Sequence, residues 1–82
     1  MSPDFKIIYE EINGNVDITA NTQINNLRAD KVVVSENVKA RLFGTIKKTL
    51  VLKKGSVVIL HGTIYGDVKN EGGELSLYQK EV

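Results

Sequence analysis

The chain has one histidine, His61, and no cysteine. An imidazole is the side chain best suited to general acid–base work near neutral pH. To activate a nucleophile it needs a partner, and Ser35, Ser56 and Ser76 all lack the Gly-x-Ser-x-Gly context of a nucleophile elbow. Asp67 with Asp17 or Glu71 offers a carboxylate pair, but no spacing fixes their separation. A glycosidase also needs a cleft, which 82 residues hardly supply. Gly62-Thr63-Ile64-Tyr65-Gly66 lacks the Gly-Lys-Ser/Thr ending of a phosphate loop. One His and no Cys exclude a thiolate site, a disulfide scaffold and a multi-histidine zinc site within one chain. No catalytic residue, cofactor or metal ligand is therefore assigned, and an enzyme is the least favoured reading.

His61 has a second context, a repeat. Residues 36–46 and 54–64 align at an offset of eighteen, with Leu42 on Leu60, Phe43 on His61, Gly44 on Gly62, Thr45 on Thr63 and Ile46 on Ile64. Upstream, Val32, Val33 and Val34 fall on Leu50, Val51 and Leu52. Asn37 falls on Gly55, and these two residue types best tolerate left-handed backbone angles. Val16-Asp17-Ile18 is a fainter copy at an offset of sixteen. Leu75-Ser76-Leu77 reads as a further start after Gly72-Gly73, and Gly14-Asn15-Val16 echoes Gly62-Thr63-Ile64. Residues 19–30 do not follow the register.

Within each unit the apolar residues step by two, as in Val32/Val34, Ala40/Leu42, Leu50/Leu52 and Val58/Leu60. That step places each set on one face of a strand. After position 12 no twelve-residue stretch holds a helical stripe. A meander gives no reason for an eighteen-residue echo, whereas a solenoid coil does. The expected fold is an all-β, single-domain β-solenoid of about four coils. Each coil has three short sides, and each touches only its neighbours. Asn37/Gly55 and Gly44/Gly62 are expected at corners, with Val33/Val51 and Arg41/Ile59 outward or near corners. Residues 1–12 read as an N-terminal strand or cap, and residues 13–82 as the solenoid.

Composition agrees with a small globular domain, at 41 % apolar and 26 % charged residues. No run approaches a membrane-spanning length. Residues 1–5 have neither a basic n-region nor an apolar stretch, so no secretory signal is expected. With no cysteine present, a cytoplasmic location is the expectation. Charge is uneven, at −3 over residues 1–30, +6 over 31–54 and −2 over 55–82.

The run 32–68 resembles the bactofilin family of bacterial polymer-forming cytoskeletal proteins. The pattern is apolar-x-apolar, then Gly or Asn, then an apolar strand, then Gly-x-Ile. The closest part is Leu50-Val51-Leu52-Lys53-Lys54-Gly55 and Leu60-His61-Gly62-Thr63-Ile64-Tyr65-Gly66-Asp67-Val68. The resemblance implies a right-handed β-helix that joins end to end without nucleotide. Hexapeptide-repeat acyltransferases also use eighteen residues per coil, but they place a glycine at every side, and here it recurs once per coil.

A solenoid end must be capped or paired with another chain. The first functional expectation is a non-catalytic homo-oligomer. It self-associates through Phe5, Ile7 and Ile8 at one end and Leu75, Leu77 and Tyr78 at the other. The alternative is a small accessory or inhibitor-like protein-binding module. Its surface would be Phe43, His61 and Tyr65, or the basic residues Lys47, Lys48, Lys53 and Lys54. Nucleic-acid binding through 39–54 ranks lower, because that segment holds only one aromatic, Phe43.

Overall fold

The computed structural model describes residues 5–78. Its elements are all strands: β1 (Lys6–Ile18), β2 (Thr22–Val34), β3 (Lys39–Leu52), β4 (Val57–Ile64), β5 (Asp67–Asn70) and β6 (Glu74–Tyr78). Every pairing is parallel, in the order β1-β2-β3-β4-β6, with β5 also on β3. Consecutive parallel strands cannot be joined by tight hairpins. Here each coil winds round the axis and returns on top of itself. The long strands bend as they go: β3 pairs with β4 through its first half and with β5 through its second. The architecture is a β-solenoid of about four turns.

Three sides can be followed through the stack. The first holds residues 6–8, 22–24, 39–43, 57–61 and 74–78. The second holds 11–14, 26–29, 44–46 and 62–64. The third holds 15–18, 31–34, 49–52 and 67–70. Each side sends two columns of residues inward, so that Ile8, Ile24, Leu42, Leu60 and Leu77 form one column and Val16, Val32, Leu50 and Val68 another. The middle coils are sealed, with Ile24, Leu27, Val32, Val34, Leu42, Ile46, Leu50, Leu52, Val58 and Leu60 fully buried. Burial of each such side chain stabilises by roughly 1.5–3 kcal/mol. Two polar residues share the interior and are satisfied locally: Ser56 Oγ donates to Lys53 O at 2.7 Å, and Thr22 Oγ1 to Ala20 O at 2.7 Å.

The corners follow the expected chemistry. Asn37 has φ 59° and Gly55 φ 75°, each the third residue of a turn closed by Val38 N–H to Ser35 O and by Ser56 N–H to Lys53 O. Gly44 and Gly62 lie one above the other at the corner between the first and second sides. Here the absence of a side chain is obligatory, because a Cβ on Gly62 would overlap the carbonyl oxygen of Gly44, and one on Gly44 that of Leu27. Arg41 and Ile59 face outward. Val51 also lies off the core, yet it is nearly covered by its neighbours in the stack.

Two readings are corrected. Residues 22–34 form a complete coil, β2, among the best buried in the molecule. Residues 22–24 and 31–34 keep the eighteen-residue register, and 27–29 leave it for an offset of seventeen, because two one-residue shifts cancel. From the first side to the second, Ile24 to Leu27 spans one residue more than Leu42 to Gly44. At the next corner, Ala29 to Lys31 spans one fewer than Ile46 to Thr49. Leu75 and Leu77, the further start after Gly72-Gly73, stack on Val58 and Leu60 and so continue the first side. Gly14 heads the column of Ala29, Ile46 and Ile64, not that of Gly62. Residues 6–12 lie within β1, a strand of the solenoid that runs unbroken past position 12.

Gly62→Ala is expected to cost about 3 kcal/mol or more, since two backbones must separate. Gly14→Ala meets open space and carries only the strain of φ 76°, about 1 kcal/mol. Thermal denaturation checks both, at roughly 4–8 °C per kcal/mol for a domain of this size. Equal shifts would remove the Gly44–Gly62 contact as the cause.

Candidate functional site at the solenoid ends

A solenoid exposes its interior at both ends. At the N-terminal end the outer edge of β1 is unpaired among the described residues. Ile8, Ile12, Val16 and Ile18 line an open apolar mouth of about 200 Å³. Its one charged inward-column member is Lys6, which heads the column of Thr22, Ala40, Val58 and Leu75. At the C-terminal end Ile64 and Leu75 are half-buried, while Val68 and Leu77 are each 42 % exposed. The polar exception there is Asn70, which ends the column of Ile18, Val34 and Leu52. Its Oδ1 accepts from the backbone N–H groups of Gly72 (3.0 Å) and Gly73 (2.7 Å), which organises the following turn.

Of the six residues expected at the ends, Ile8, Leu75 and Leu77 do face them. Ile7 points outward in the column of Gln23, Arg41, Ile59 and Ser76. Phe5 lies against the outer surface of the first side, with the Arg41 guanidinium 5.9 Å from its ring centroid. Tyr78 is lateral too. It stacks on His61 (5.0 Å between centroids, 15° between planes), which stacks on Phe43 (4.7 Å, 6°). The Phe43–His61 ladder was legible in the repeat. An outer side shared with Tyr78 was readable too, but its direct stacking on His61 was not, because Tyr78 falls seventeen residues after His61. Ile12, Val16, Ile64 and Val68 complete the ends. Their signal was the step of two or four in the apolar pattern after Ile8.

The remaining candidates separate. Tyr65 is 75 % exposed and sits at the second corner beside Lys47 and Lys48, away from the aromatic column. Lys53 and Lys54 occupy the third corner, where Lys53 Nζ reaches Glu71 Oε1 at 3.2 Å. Such a half-exposed pair contributes about 1 kcal/mol or less. The basic run is one winding of a coil, so its charges point in different directions and form no single patch. Phe43, His61 and Tyr78, with Thr45 and Thr63, border a shallow open trough floored by Gly44 and Gly62. Among the described residues no cluster of His, Asp and Glu is arranged to hold a metal. No helix is long and apolar enough to cross a membrane. No family model, curated protein or solved structure matches the chain.

His61 acts in this geometry as the middle ring of a ladder. His61→Phe is expected to leave thermal stability unchanged or raised, and His61→Ala to lower it by about 1 kcal/mol. Loss of stability in the Phe variant would show that the imidazole nitrogens matter.

Proposed function

We propose that this protein is a non-catalytic structural element that self-associates through the ends of its solenoid. One observation carries the reading. Among the described residues, the apolar interior reaches the surface at both ends beside strand edges with no partner, relieved by Lys6 and Asn70 alone. Solenoids that stay monomeric cover such ends with polar caps. An unpaired parallel edge is a template for another strand. The resemblance of residues 32–68 to bactofilins points the same way.

Magnitudes set the kind of assembly. Completing the burial of one half-exposed aliphatic side chain contributes about 1 kcal/mol. Association costs about 4–15 kcal/mol. With a handful of such side chains per end the balance is close, and growth depends on concentration. Charge adds a sign. Residues 6–18 hold Lys6 against Glu10, Glu11 and Asp17, for −2. Residues 67–78 hold Lys69 against Asp67, Glu71 and Glu74, also −2. End-to-end contact brings like charges together, and salt relieves it as the Debye length falls from about 30 Å at 0.01 M to about 8 Å at 0.15 M. Lateral pairing of acidic ends with the basic middle coil would weaken with salt.

Sedimentation velocity over a concentration series is the test, with open-ended growth that strengthens between 0.01 and 0.15 M salt expected. Leu75→Lys with Leu77→Lys should give a smaller species with the same circular dichroism. A fixed dimer or tetramer would favour the second reading, a protein-binding module that uses the Phe43–His61–Tyr78 column.

A further inference from the structure

We propose that copies of this chain stack head to tail with a rotation of one solenoid side, so that β1 of one copy completes the step at the C-terminal end of the next. This rests on the end-to-end reading above and adds its polarity and phase. The two ends differ in shape. The edge of β1 runs round all three sides. The C-terminal end is stepped: β6 covers the first side only, leaving residues 62–64 of β4 and the whole of β5 without a strand above them among the described residues. Tyr78, the last described residue, pairs with His61, and Gly62 is the next residue along β4. A β1 edge that starts there lies on the second side, continues over the third and ends on β6, with no gap. Without the rotation, two of the three sides are one strand short.

The side chains select the same phase. Ile8 meets Ile64, and Ile12 meets Val68, since four residues separate the members of each pair. Val16 and Ile18 then meet Leu75 and Leu77. The two polar exceptions fall where the other chain has no side chain: Lys6 lies over Gly62, and Gly14 over Asn70. In the unrotated stack Lys6 lies on Leu75, and its ammonium is set on aliphatic surface. Every side carries two inward columns, so the rotation maps columns onto columns. The turn after Asn70 is longer than the corner after Gly14. The corner after Val34 outgrows the one after Ile18 in the same sense inside the molecule.

The absence of native cysteine makes disulfide trapping a clean test. Asp17 and Ser76 are both exposed, one at each end, between inward residues. In the rotated stack they face each other across one strand spacing of about 4.8 Å. That lies within the Cα separation a disulfide spans, about 4.4–6.8 Å. In the unrotated stack the partner of Ser76 is Ile7. Oxidation of Asp17→Cys/Ser76→Cys is expected to give a ladder of covalent multimers on a non-reducing gel, while Ile7→Cys/Ser76→Cys gives none. A ladder from the Ile7 pair overturns the rotation. Covalent dimers from either Asp17→Cys or Ser76→Cys alone overturn the polarity. If the wild-type chain grows in sedimentation but the Asp17/Ser76 pair does not trap, self-association stands and the phase falls. If the wild-type chain stays monomeric at every concentration and salt, the reading beneath falls with it.

Discussion

Each coil of this protein is held by the coil beside it, through a parallel hydrogen-bond ladder that keeps like positions in register. Everything else follows from that constraint. The interior is six columns, because each side must offer two inward residues to the coil above. The backbones must come within one strand spacing at every point, corners included. At the corner of Gly44 and Gly62 the carbonyl of one coil occupies the space where a Cβ of the next would stand. A single methyl group there opposes the ladder itself, not one contact among many.

The same constraint explains how much could be read beforehand. Coils β3 and β4 match residue for residue, and Leu42/Leu60, Gly44/Gly62 and Asn37/Gly55 announced both the period and the corners. β2 is as well buried, yet its middle, Leu27 to Ala29, was illegible at a fixed offset of eighteen because it falls at seventeen. Its inward residues Ile24, Leu27 and Ala29 keep their places on the sides while the corners between them change length. A constant period detects equal corners, and the fold demands only equal sides. The ends were legible in part. Leu75 and Leu77 were identifiable by their alternation. The lateral placement of Phe5, Ile7 and Tyr78 depends on which face of a strand each occupies, and apolar character alone does not say.

Charge shows the limit of linear reading. The segment from 39 to 54 is strongly basic as a string, and a string winding once round a solenoid is a girdle. Lys47 and Lys48 leave at one corner and Lys53 and Lys54 at another, with Glu71 already beside Lys53. The acidic character of both ends, by contrast, survives folding, because end coils stay at the ends. The long-range electrostatics of the molecule are thus those of a positive waist between negative poles.

The corner lengths carry a further consequence. Going from β3 to β2 to β1, the span from first side to second lengthens from Leu42–Gly44 to Ile24–Leu27 to Ile8–Ile12, while the next corner shortens from Ile46–Thr49 to Ala29–Lys31 to Gly14–Asn15. One residue is passed back across the second side at each step. Insertion and deletion are therefore neutral events when they fall at corners in compensating pairs, and damaging within a side, where a one-residue slip turns the whole face inside out. Visible periodicity in the sequence is therefore a weaker requirement of this fold than equal sides.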